Sequence, residues 1–287
     1  MSKHKNLIKE KEIHGIPISA LSKHKALTKD QLDIFIPNYN IIKCIDSYCS
    51  RKNIKKDKVK VLDWGCGKGL EVLWLNSNGY NVVGVDIDKE PIQNGLGLAK
   101  DLGLIKDSLR VISDDNKTSF TNDYFDLVFS NQCFEHVKDI DSVANEIYRT
   151  TKPGGEGYHE LPAFLNPYEG HLYMLFIHWL PKNRIRLLGI LFYVLIRREP
   201  FWPELNDLGL IDKAKKYYEY SINKTFYRST RDFKNIFSKV GFDSKHGSNY
   251  IPEINSDKSN SYWYRFKKYI KIKFFIEELY LIKRSDN

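Results

Sequence analysis

Val59-Lys60-Val61-Leu62-Asp63-Trp64-Gly65-Cys66-Gly67-Lys68-Gly69 decides the fold. Val59 to Trp64 is a short, largely apolar run of the kind that forms a strand covered on both faces. It ends in three glycines at alternate positions, and Leu70 to Leu75 then opens a helix. Closely spaced glycines let the backbone turn tightly and approach a ligand, and the N-terminus of the following helix favours an anionic group.

Outward from this turn the same rhythm repeats. Strands are expected at Asn81 to Asp86, Leu109 to Ser113, Tyr124 to Ser130 and Glu156 to Leu161. Helices are expected at Lys89 to Leu102 and Ile140 to Thr150, the second stopped by Lys152-Pro153-Gly154-Gly155. Strands alternating with helices imply an α/β fold, with a Rossmann-like doubly wound parallel sheet covered on both faces. Asp30 to about Ser50 carries apolar residues at helical spacing, and Met1 to about Thr28 is a basic arm. Thr230 to Val240 is an amphipathic helix ended by Gly241, and Phe242 onward and Glu278 to Lys283 are closing strands. The expected organisation is a basic arm with N-terminal helices over 1–55, then one domain over 56–287. Within it, Pro162 to about Thr225 is too long for a connecting loop and must have structure of its own.

In an open parallel sheet, ligands bind beyond the carboxyl ends of the strands, where every informative residue falls. Asp63, Gly65, Cys66, Gly67 and Gly69 end the first strand. Asp86, followed by Ile87, ends the second and could accept from ribose hydroxyls, while Asp114 or Asp115, after the third, could accept from an adenine amino group. A dinucleotide pattern started at Gly65 would need glycine at position 70, which is Leu70.

Val61 to Gly69 resembles the first motif of class I S-adenosylmethionine (SAM)-dependent methyltransferases of type 11, and Asp86 matches that family's acidic residue after the second strand. Asp114 with Phe120, Phe125-Asp126-Leu127-Val128, Ser130 to Val137 and Lys152 to Gly155 are similar to its later motifs. The resemblance implies SAM as cofactor, with Asp63 toward its ammonium end and Asn131 among the binding residues. It also implies seven strands, the last antiparallel.

For the acceptor, His136 is the leading candidate base because it follows the fourth strand, with His159 on the fifth as the second. The polar run Glu156-Gly157-Tyr158-His159-Glu160 departs from the family's usual fifth strand and leaves open whether His159 and Glu160 point into the acceptor site. The insertion is expected to fold over the cleft as a cap, with Tyr168, His171, Tyr173 or Trp179 facing the transferable methyl. No metal is expected, because Ser130-Asn131 stands where a ligating carboxylate would sit.

The insertion also resembles, more weakly, that of methyltransferases of cell-surface polysaccharide and small-metabolite pathways. Its polar and aromatic residues suit a small or glycan-type acceptor, methylated on oxygen. Leu187 to Ile196, apolar and flanked by Arg184, Arg186, Arg197 and Arg198, reads first as a buried helix; it suits the runner-up acceptor class, lipid-like or quinone-type, and its alternative is contact with anionic lipid at the inner face of a membrane. It is too short to span one. A formal charge of +9 invites an RNA reading, but the excess is scattered Lys, so nucleic acid is not the favoured partner. A basic RNA methyltransferase and an inactive SAM-binding protein remain as alternatives. Four cysteines with no CxxC pair and no zinc-ligand spacing suit reduced thiols in a cytoplasmic protein, and Met1 to Lys25 has no apolar core for a signal peptide.

Overall fold

The computed structural model describes residues 29–104, 107–246 and 276–284. The basic arm lies outside them. Two short helices come first, α1 (Lys29–Asp33) and α2 (Tyr39–Lys52). The repeat follows as β1 (Lys60–Trp64), α3 (Leu70–Ser77), β2 (Asn81–Asp86), α4 (Lys89–Asp101), β3 (Leu109–Val111), β4 (Phe125–Asn131), α5 (Ile140–Thr150) and β5 (Thr151–Pro162). The segment after β5 contains β6 (Tyr168–Glu169), β7 (Met174–Leu175), α6 (Arg184–Leu195) and α7 (Leu210–Asn223). Helix α8 (Thr230–Lys239) and strands β8 (Phe242–His246) and β9 (Ile276–Lys283) close the chain.

The seven-stranded sheet runs β3-β2-β1-β4-β5-β9-β8, with β9 antiparallel to both of its neighbours. This is the doubly wound Rossmann-like arrangement with an antiparallel last strand. The order reverses at β1, which pairs in parallel with β2 on one side and β4 on the other, so a crevice opens beyond their carboxyl ends. Val61, Leu62, Leu127, Val128 and Phe129 have no exposed surface, as expected of strands covered on both faces.

Contacts divide the chain into two units. The smaller comprises Leu165–Tyr227 together with Glu135–Lys138, and the larger holds the sheet and its helices. The insertion thus has a core of its own, built from Leu172, Met174, Ile177, Ile190, Val194, Leu205, Ala214 and Tyr217. The N-terminal helices do not stand apart from the sheet. Leu32, Ile41, Cys44, Ile45 and Tyr48 join the core cluster of the larger unit.

Helix α2 is also tied to β5 by charge. Arg51 makes two parallel bonds of 2.7 Å to the Glu156 carboxylate, and Tyr280 on β9 donates to the same group. Glu156 is buried, so this guanidinium is what makes its charge tolerable there. Replacing Arg51 with Ala should therefore destabilise the protein by about 2–3 kcal/mol, below the usual range for a broken buried pair because Arg51 is itself partly exposed. Urea unfolding should show a lower midpoint with an unchanged slope. A midpoint equal to wild type would show that the pair contributes nothing.

Candidate functional site

The glycine turn is held in place by both its neighbours and its own backbone. Gly65, Gly67 and Gly69 all have positive φ, at 79°, 55° and 76°. A Cβ on Gly65 would lie 2.1 Å from Cys133 Sγ, and one on Gly69 would lie 2.3 Å from Leu109 Cδ2. The turn is therefore packed between the loop after β4 and the start of β3, and a side chain at either position would meet both a neighbour and an unfavourable φ. Gly65 and Cys66 donate to the Val85 carbonyl at 2.8 and 3.0 Å. Gly67 N–H donates to Asp86 Oδ2 at 2.8 Å, and Asp88 N–H to Asp86 Oδ1 at 2.9 Å.

Acids converge at this end of the sheet. Asp63 is buried, and its carboxyl is pushed well above the usual range by burial first, then by the charges of Glu71 and Asp86. Burial also raises Asp86, against the hydrogen bonds from Asp88 and Gly67. Glu71, in the first turn of α3, is pushed up to about 7 by burial, opposed by a bond from Asn38 N–H and reinforced by Glu160. The charges of Glu71 and Asp86 that act on Asp63 are both negative, an environment that suits a ligand bearing an ammonium and a sulfonium. Glu71 was not among the residues singled out from the sequence, although an acid two residues after the last glycine of the turn was a usable signal.

Other expected cofactor residues are more open. Ile87, Asp114 and Asp115 are exposed, and Asn131 is half-buried. Asp115 is engaged locally, accepting from Ser113 Oγ at 2.5 Å and Lys117 N–H at 3.1 Å, which holds its carboxyl below the usual range. Asp114 is left as the better placed of the two for an outside donor. A cavity of about 370 Å³, lined by Val85, Ile112, Ser113, Thr118 and Phe120 among others, opens beside this loop and does not include the glycine turn.

The expectation for the fifth strand is corrected. His159 has no exposed surface. Its ring packs in a triangle with Phe134 and Phe237, with centroids 4.7 and 5.7 Å away, and its Nδ1 is 2.8 Å from Ser130 Oγ. Burial drives its pKa down to about 3. A neutral, enclosed imidazole of that basicity cannot take a proton from an acceptor. Glu160 is also occupied, accepting from Asn38 Nδ2 at 2.6 Å, Asn40 Nδ2 at 2.9 Å and the Tyr158 hydroxyl at 2.6 Å.

The smaller unit gathers a different set. His136 is exposed and its Nδ1 lies 2.8 Å from the Lys224 carbonyl. His171 Nδ1 is 2.9 Å from Glu169 Oε1, which also accepts from Tyr227 at 2.6 Å. Burial pulls His171 down, but the bond to Glu169 and the charges of Glu169 and Glu135 outweigh it, so its pKa is raised. Glu135 is buried and pushed up to about 7 by desolvation. The His136 and His171 rings meet edge to face, with centroids 4.7 Å apart. Tyr168 and Trp179 are exposed; Tyr168 and Tyr173 lie 6.1 Å apart by centroid. Glu169 and Tyr227 were missed from sequence, although Glu169 stands two residues before His171.

Residues 62–158 match a family described as a methyltransferase domain. They form a class I SAM-dependent methyltransferase domain. A ubiquinone biosynthesis O-methyltransferase from Erwinia tasmaniensis is 35% identical over 97 residues, covering 34% of this chain and 40% of the relative. A sterol 24-C-methyltransferase from Aspergillus fumigatus is 31% identical over 122 residues, covering 42% of this chain and 32% of that protein. The chain thus spans less than half the length of these two curated relatives. A solved SAM-dependent methyltransferase from Mesorhizobium loti superposes with a TM-score of 0.48 at 13% identity, over 88% of this chain and 100% of that one.

The buried acids of the domain give a pH test. The folded protein holds the Glu71 proton more tightly than the unfolded chain, with the pKa raised from 4.5 to about 7. Unfolding therefore releases protons in that window, and stability falls as pH rises through it. Glu71→Gln should match wild type near pH 4.5 and exceed it by up to about 3 kcal/mol at pH 8. Glu135 titrates in the same window, so the wild-type-minus-variant difference, taken from urea unfolding across pH, isolates Glu71. A difference that does not change with pH would refute the assignment.

Proposed function

We propose that this chain transfers a methyl group from SAM to an oxygen of a lipid-like acceptor at a membrane surface. When bound, SAM supplies a methyl already made electrophilic by its sulfonium. The protein's task is then to hold the cofactor and align a nucleophile. Asp86 would accept from the ribose hydroxyls, and Asp63 with Glu71 would balance the cofactor's positive charge. The exposed His136 and the Glu169–His171 pair are the polar groups suited to handling an acceptor hydroxyl.

The observation that carries the acceptor class is the outward face of α6. Ile185, Leu188, Phe192 and Leu195 stand at helical spacing and are 54–64% exposed. Ile190 and Val194, on the opposite face, already pack in the core of the smaller unit. Arg184, Arg197 and Arg198 flank the row and are exposed. An apolar stripe bordered by cations is suited to lie in an anionic membrane interface. No helix among the described residues is long and apolar enough to cross a membrane. The quinone- and sterol-pathway names of the relatives support the same class of acceptor. The exposed Tyr168 and Trp179 favour a second reading, a glycan stacked on aromatic rings.

The cofactor assignment predicts calorimetric binding of SAM or its demethylated product, but not of NAD. Asp86→Ala should weaken that binding by about 1–3 kcal/mol through lost charge-assisted hydrogen bonds. Binding of NAD with none of SAM would exclude it.

The acceptor assignment predicts co-sedimentation with vesicles containing anionic lipid, reduced by Leu188→Glu or Phe192→Glu. Labelled methyl from SAM, offered to fractionated cell extract, should enter the lipid fraction. Label confined to a carbohydrate fraction would favour the glycan reading, and label in RNA would remove both.

A further inference from the structure

We propose that Glu135, His136 and His171 bind a divalent transition-metal ion of the zinc class. One ligand atom from each of the three residues lies within 4.8 Å of the other two. All three residues belong to the smaller unit. Glu135 is 2% exposed, and its Oε2 has no hydrogen-bond partner. A buried carboxylate oxygen left without a donor costs free energy unless something fills the place of that donor.

The histidines are arranged as ligands. His136 Nδ1 faces a carbonyl, that of Lys224, which can only accept, so Nδ1 carries the hydrogen and Nε2 the lone pair. His136 Nε2 lies 4.0 Å from Glu135 Oε1. His171 Nδ1 faces Glu169 Oε1, again an acceptor, and the Tyr227 oxygen at 3.0 Å, whose hydrogen goes to Glu169, so its lone pair is also on Nε2. Glu169 is fixed in turn by the Tyr227 hydroxyl and the Leu172 N–H. A carbonyl or carboxylate holding the far nitrogen of an imidazole is the usual support of a metal-bound histidine.

The donor set selects the ion. Two imidazoles and one carboxylate suit zinc and its neighbours, whereas magnesium and calcium favour all-oxygen sites. Donors on a tetrahedral zinc lie about 3.4 Å apart, so the cluster must close by about 1 Å, which the exposed His136 ring can accommodate. Three protein ligands leave a fourth position for water or an acceptor oxygen. That last role rests on the function proposed above, while ion binding itself does not. The proposal revises the expectation of no metal, which considered only Ser130-Asn131 and could not see that the fold brings His171 to the residues just after β4.

The test uses the full chain, freed of metal by chelator and then titrated with zinc or cobalt(II). One equivalent of zinc should bind in calorimetry, and cobalt(II) should give the visible absorption of a tetrahedral site. His136→Gln, at an exposed position, and His171→Ala should each abolish the cobalt spectrum, and Glu169→Gln should weaken zinc about 10–100-fold by freeing the His171 ring. Far-UV circular dichroism and SAM binding verify that the variants fold. Absence of zinc binding by wild type, or unchanged binding by the folded His136→Gln/His171→Ala double variant, overturns the site. Zinc binding by a chain that does not bind SAM would uphold the site and remove the methyl-transfer reading instead.

Discussion

Asp86 Oδ2 accepts from Gly67 N–H at 2.8 Å, and its Oδ1 accepts from Asp88 N–H at 2.9 Å. One carboxylate thereby joins the turn after β1 to the end of β2 and starts the loop that leads into α4. The turn can reach it only because three glycines take up positive φ in succession. The same turn packs on Cys133 after β4 and on Leu109 in β3, so four strand ends are fixed relative to one another by one backbone conformation. A carboxylate oxygen has lone pairs left after one such bond, so Asp86 can organise the turn and still accept from a ligand.

Much of this was legible in the sequence because the relevant signals are local. Glycine spacing, strand length and the acids at strand ends lie within a few residues of one another. The seven strands and the antiparallel β9 were also legible, through the resemblance. The contacts of β5 were not. A strand covered on both faces has no alternation to say which way a residue points. The orientation of His159 and Glu160 was therefore open in the sequence, and that of Glu156 carried no signal. Their partners are Arg51, Ser130, Asn38 and Asn40, mostly distant in sequence and, for the two glutamates, on or beside the N-terminal helix α2. The insertion's division from the sheet was visible as length alone. That Glu135–Lys138 belong with it could not be read from spacing, because it depends on a tertiary contact such as Phe226 N–H to the Glu135 carbonyl at 2.6 Å.

The histidines show how far environment overrides residue type. His159 and His171 both have Nδ1 within 3 Å of an oxygen. In one case the partner is a neutral hydroxyl, with Phe134 and Phe237 packed beside the ring, and burial alone sets the outcome, driving the pKa to about 3. In the other the partner is a carboxylate, backed by a second acid, and the pKa moves upward despite burial. An imidazole of the first kind is a structural filler at every physiological pH. One of the second kind is held in a single orientation by its carboxylate and can serve as an acid, a base or a ligand.

Helix α6 carries the remaining argument. A helix on the surface of a soluble domain normally has one apolar stripe, which faces the core, and a polar face toward water. Here Ile190 and Val194 already satisfy the inward requirement, so the outward Ile185, Leu188, Phe192 and Leu195 have no role in folding the unit that bears them. Scattered exposed hydrophobics need no explanation, but four at helical spacing on one face do. Arginines at 184, 197 and 198 bracket the row at its two ends, and long cationic side chains at the edge of an apolar stripe can reach phosphate groups while the stripe enters the acyl boundary. On the lipid-acceptor reading proposed above, such a helix would bring the smaller unit to a surface where lipid-like molecules are concentrated. An enzyme acting on a freely soluble sugar gains nothing from exposing that face.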